Sequence, residues 1–170
     1  SIIVWEAAFS PDGELVAVLA AHGQGAAAQW TVDVWSSLTG ERLCGTEVLN
    51  GTEMLHRQFA FDGSTVAICR GSAFERPGVL MSVRRGDSGC ELVPYRQRVV
   101  CEAAHLPTRS LLQLSQASAK IKRLGENVSS TVHYTGMPLL FGGGARGSFA
   151  PDGRSAAISQ MRYAQLWPFD

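Results

Sequence analysis

No apolar run in the chain approaches the roughly 18 consecutive residues that mark a membrane-spanning helix, so the sequence offers no helical membrane span. Net charge is lacking as well. The 15 basic and 15 acidic side chains cancel, so no overall field draws the protein to nucleic acid or to an anionic membrane surface. Any partner is then selected by shape and local chemistry. The start, Ser1-Ile2-Ile3-Val4, has neither the charged opening nor the small-residue cleavage site of a secretory signal, and the expected location is intracellular, in the cytoplasm. Cysteine is sparse: Cys44, Cys69, Cys90 and Cys101 form no C-x-x-C pair and have no histidine at metal-ligand spacing. They are expected as reduced, partly buried thiols that pack as small hydrophobes, with no metal site. Without a secretory signal, the sequons at Asn50-Gly51-Thr52 and Asn127-Val128-Ser129 are expected to stay unmodified.

What the chain has instead is repetition. It is 170 residues long, 45% apolar and 18% charged, enough for a domain with a true core. Three segments align without a gap: "AFSPDGELVAV" (8–18), "QFAFDGSTVAI" (58–68) and "SFAPDGRSAAI" (148–158). A fourth, "AHLPTRSLLQL" (104–114), sets Arg109 at the place of the turn glycines Gly13, Gly63 and Gly153, giving steps of 50, 46 and 44 residues. Asp-Gly between β-rich runs predicts a tight hairpin, because glycine takes the positive φ and aspartate bonds the local backbone. A second hairpin follows: "TVDVWSSLTGERL" (31–43) aligns on "LMSVRRGDSGCEL" (80–92), with Gly40 on Gly89. No helical period is present at any length. Each unit therefore reads as four antiparallel strands, at about 2–49, 54–98, 99–135 and 145–168, the last without its outermost strand. Its Leu166-Trp167 corresponds to Val34-Trp35. Four-stranded sheets recurring at this spacing predict an all-β fold, one β-propeller segment over 1–170.

The residues "AFSPDG…TVDVWSSLTGERL" and "SFAPDG…YAQLW" resemble WD40-type repeats, in which "SPDG" joins the first two strands and a tryptophan closes the third. The likeness covers nearly the whole chain, strongly in repeats one, two and four and weakly in three. It departs from the family in two respects: no Gly-His pair opens a repeat, and Ser36 and Pro168 stand where an aspartate usually follows the tryptophan. The buried hydrogen-bond network of that family is accordingly not implied. Propeller repeats of periplasmic and peptidase-associated proteins share "SPDG" and are the alternative resemblance. About three and three-quarter blades fall short of the ~4–8 of a closed ring. The ring is expected to be incomplete and to be completed by further blades of a longer chain, by a second copy or by another subunit.

Catalytic motifs give way to turns. Asp87-Ser88-Gly89 matches the tetrapeptide surroundings of a protease nucleophile, but it aligns on the hairpin turn Leu38-Thr39-Gly40, with no base expected near Ser88. Arg85-Gly86-Asp87, the tripeptide of integrin ligands, falls on the same exposed loop and reads as a turn. The histidines His22, His56, His105 and His133 lie in different repeats and form no dyad; His105 replaces a strand phenylalanine and reads as structural. "FGGGARG" (141–147) lacks the Lys-Ser/Thr of a phosphate-binding loop and reads as a flexible connection. Lys120, Lys122 and Arg123 alternate as the outer face of a strand, without the stacking aromatics of a nucleic-acid stripe.

Recognition is therefore expected at loops. "AHGQGAAAQ" (21–29), "GSAFERPG" (71–78) and "GMPLLFGGGARG" (136–147) share one rim of such a fold. They present Phe74, Glu75, Arg76, Met137, Leu140, Phe141 and Arg146 as a protein-binding set, rich in residue types that dominate interfaces. The expected function is a non-enzymatic WD40-like scaffold for protein–protein interaction in a larger assembly, with no cofactor. The alternatives are the propeller portion of a larger enzyme, such as a peptidase gating domain, or the sensor domain of a signalling ATPase.

Overall fold

A computed structural model describes residues 2–23, 27–50, 58–70, 77–87, 89–96, 99–115, 118–126, 129–133, 146–160 and 163–168. The described chain is all-β, in four antiparallel sheets. The first contains β1 (Ile2–Phe9), β2 (Leu15–His22), β3 (Gln29–Ser36) and β4 (Arg42–Asn50). The second contains β5 (Gln58–Phe61), β6 (Thr65–Cys69), β7 (Val79–Gly86) and β8 (Gly89–Pro94). The third contains β9 (Ala103–His105), β10 (Ser110–Leu114), β11 (Ser118–Arg123) and β12 (Ser129–His133). The fourth contains β13 (Arg146–Phe149), β14 (Ser155–Gln160) and β15 (Tyr163–Pro168). Strands neighbour one another in chain order within every sheet, so each is a simple meander.

The turns explain the meander. Gly13, Gly63 and Gly153 have φ of 73°, 90° and 68°, the left-handed conformation that L side chains resist. Arg109, at the aligned place in the third copy, has φ of 54° and is the non-glycine residue with positive φ among the described residues. Beside these positions the aspartates close the turn: Asp12 accepts from the Glu14 N–H at 3.0 Å, Asp62 from the Ser64 N–H at 2.8 Å, and Asp152 from the Arg154 N–H at 2.9 Å. The Ser10 hydroxyl also donates to Asp12, and these two bonds hold the Asp12 carboxyl below its ordinary pKa.

The chain divides into two compact units, Ser1–Ile68 with Val79–Arg98, and Cys69–Gly78 with Val99–Asp170. In the first unit, one face of the first sheet carries Leu15, Ala17, Leu19, Trp30, Val32 and Val34. It packs on Phe59, Phe61, Val66, Ile68 and Met81 of the second sheet, with β1 against β5 and β4 against β8. Burial of each large side chain contributes roughly 1.5–3 kcal/mol. In the second unit, Leu112, Leu114, Ala119 and Ile121 of the third sheet cover Ala156 and Ile158 of the fourth, with Phe149 at the margin.

Two expectations are corrected here. The cysteines are not thiols: Cys44 is bonded to Cys90 and Cys69 to Cys101. Cys44–Cys90 is half-buried and joins β4 to β8, whereas Cys69–Cys101 is fully buried at the end of β6 and the lead-in to β9. The third copy is also out of phase by one residue. The gapless alignment sets His105 on Phe9 and Leu112 on Val16. Instead His105 pairs with Ser110 and Ala103 with Leu112, whereas Phe9 pairs with Val16 and Ala8 with Ala17. The tighter turn shifts the register, and a one-residue shift moves every side chain to the other face. His105 thereby meets Phe149, with ring centroids 5.8 Å apart, and bonds to Thr108 at 2.8 Å and to the Pro151 carbonyl at 3.0 Å. Both ring nitrogens are engaged, although His105 does not hold the phenylalanine's place that the alignment gave it.

Candidate interaction surfaces

Of the rim set expected from sequence, Phe74, Glu75, Arg76, Met137, Leu140 and Phe141 lie outside the described residues. Arg146 opens β13, pairs with Ser159 and is exposed. Ser88 also lies outside them, while Arg85, Gly86 and Asp87 are exposed at the β7–β8 hairpin, where Gly86 pairs with Gly89. Lys120 is exposed and Lys122 half-buried on the outer face of β11, while Ala119 and Ile121 point inward.

A surface not foreseen from sequence occupies the hairpin end of the first unit. It is an open recess of about 500 Å³ whose walls include Glu14, Leu38, Glu41, Arg42, Arg85 and Cys90. Leu38 is 83% exposed at the β3–β4 turn. The wall is pinned by Ser37, whose N–H donates to the Glu14 carbonyl at 2.9 Å and whose hydroxyl donates to the Gly13 carbonyl. Two carboxylates and two guanidiniums thus surround one exposed apolar side chain. Ser36 also lines the recess. Among the described residues, no group of three or more His, Cys, Asp or Glu could hold a metal ion, and no helix is long and apolar enough to cross a membrane.

The larger surface is the other face of the first sheet. Directly paired residues on antiparallel strands share a face. The pairs Ile2–His22, Val4–Ala20 and Phe9–Val16 therefore lie opposite the Leu15–Val34 core. Ile2, Val4 and Phe9 are exposed. Toward β4 this face becomes polar. His22 Nε2 meets the Thr31 hydroxyl at 3.2 Å, that hydroxyl donates to Asp33 at 3.3 Å, and Arg42 Nε donates to Asp33 at 2.8 Å. Gly45 passes beneath this pair, where a Cβ would stand 2.0 Å from the Asp33 carboxylate.

The repeat gives this face counterparts in the other sheets. Phe9, Val16 and Val18 align on Phe59, Val66 and Ile68, which are buried against the preceding sheet of the first unit, and on Phe149, Ala156 and Ile158, which face the third sheet in the second unit. Phe59 is 5% exposed and Phe9 is 64% exposed. The same position is core in one copy and open in another. The recess was not foreseen from the sequence, which had implied only a ring left incomplete. Compared with known proteins, the chain matches no family model and no curated protein.

Proposed function

We propose that the chain is a segment of a WD40-like β-propeller and serves as a non-enzymatic platform for protein–protein interaction within a larger assembly. The proposal rests on the contrast between Phe9 and Phe59, equivalent residues of which one is open and one is core. A sheet face patterned for burial and left open marks an interaction site. Its partners are proteins: further blades or another subunit that completes the ring, and ligands held at loops. The hairpin-end recess around Leu38 supplies a second, polar surface, and the exposed Arg146 is a third point of contact.

The compartment follows the cysteines. Paired cysteines persist in oxidising surroundings, so two disulfides favour such a compartment over the cytoplasm expected from the sequence. Alkylation of a native extract, read by mass spectrometry, separates the two: blocked cysteines support the oxidising location and four free thiols the cytoplasmic one.

A photoreactive phenylalanine analogue at Phe9, with Lys120 on the outer face of β11 as the control site, tests the platform itself. Protein adducts at position 9 and none at position 120 are expected. Absence of any protein adduct at position 9 would contradict the proposal.

A further inference from the structure

Four exposed or half-open residues of the fourth sheet extend the comparison between repeats. Each complete comparison contains a cross-strand pair that faces the following sheet: Ala17 with Val34 in the first sheet and Ala157 with Leu166 in the fourth. The first pair is fully buried and forms part of the surface that covers the second sheet. Ala157 is exposed and Leu166 is 70% exposed. Their neighbours Ser155 and Ser159 align on Leu15 and Leu19, both buried in the first sheet, and are themselves half-open and exposed.

The chain thus carries two unmatched halves of one interface. On the first sheet, Phe9, Val16 and Val18 form the kind of face that receives a preceding sheet. On the fourth, Ala157 and Leu166 form the kind of face that covers a following one. We propose that the first sheet of one molecule docks on the fourth sheet of a second copy of this chain, head to tail. The contact is heterologous, so it closes in a pair or ring or continues into a filament according to the rotation it imposes. Bulky Phe9, Ile2 and Val4 would meet Ala157 and Leu166 on the partner, with Ser155 and Ser159 standing where the first sheet has Leu15 and Leu19. This inference rests on the platform proposal and names the partner for one of its faces.

The test uses the full chain, by sedimentation velocity over a dilution series, with Phe9→Asp and Leu166→Asp. Wild type is expected to associate, and each variant alone to sediment as a monomer. A one-to-one mixture should regain a dimer, because the Leu166→Asp copy keeps an intact first sheet and the Phe9→Asp copy an intact fourth. Circular dichroism melts at monomeric dilution check that both variants fold; if Phe9→Asp does not, Val4→Asp on the same face replaces it. Wild type that stays monomeric at its solubility limit overturns the inference, as does association that neither variant weakens. A mixture that fails to regain the dimer overturns the head-to-tail pairing. Adducts at position 9 with other proteins but never with a second copy would leave the platform standing and remove this partner.

Discussion

Phe9→Ala and Phe59→Ala are the same chemical change at equivalent repeat positions, and the structure requires them to differ in cost. Phe59 is 5% exposed within the core of the first unit, and removal of a buried phenylalanine ring costs about 3–5 kcal/mol through lost transfer and an unfilled cavity. Phe9 is 64% exposed, so only about a third of its ring is withdrawn from water and its removal costs roughly 0.5–1 kcal/mol. The difference of about 2–4 kcal/mol should separate the two thermal midpoints by roughly 4–16 °C for a chain of this size. The comparison belongs at dilutions where the protein is monomeric, since association would cover Phe9 and raise its apparent cost. Differential scanning fluorimetry or urea titration reads the outcome. Equal destabilisation by the two substitutions would refute the assignment of Phe9 to an open face.

Further outcomes follow from single residues. Arg109→Gly should stabilise the fold by up to about 1 kcal/mol, because Arg109 holds the left-handed conformation at φ 54° that glycine adopts without strain; a lower urea midpoint would contradict this. Gly153→Ala should cost at least ~1 kcal/mol, since φ is 68° and a Cβ would stand 2.4 Å from the His105 ring. A graded thiol reductant followed by alkylation and peptide mapping should open the half-buried Cys44–Cys90 before the buried Cys69–Cys101, and the reverse order would contradict their placement. Asp12 titrates below its ordinary value in the folded chain, through the Ser10 hydroxyl and the Glu14 N–H. Its stabilisation is present above the unfolded pKa and is lost as pH falls through the folded one. Asp12→Asn should therefore flatten the acid limb of the stability profile and leave neutral pH less stable.

The sheets were legible in the sequence because each hairpin is specified locally. Asp12-Gly13, Asp62-Gly63 and Asp152-Gly153 fix their own turns through bonds to the next residues. Even Arg109, with no glycine to mark it, was located by its place in the repeat. Features that depend on sheet meeting sheet were not legible. Cys44 and Cys90 are 46 residues apart and come together only because β4 stacks on β8. The third sheet's register was misread because its turn is tighter, a property of pairing rather than composition. The recess at Leu38 arises from two turns of different sheets, neither unusual alone. Most of the expected rim, Phe74, Glu75, Arg76, Met137, Leu140 and Phe141, lies outside the described residues.

Covalent surface labelling measures the central claim most directly. Hydroxyl-radical footprinting of Phe9 and Phe59 in the dilute chain, repeated at concentrations where it associates or with a partner bound, reads each ring separately. Phe9 should be oxidised readily in the dilute chain and protected on association, while Phe59 stays protected throughout. Strong protection of Phe9 in the isolated monomer, or unchanged labelling when partners bind, would contradict an open sheet face made for docking.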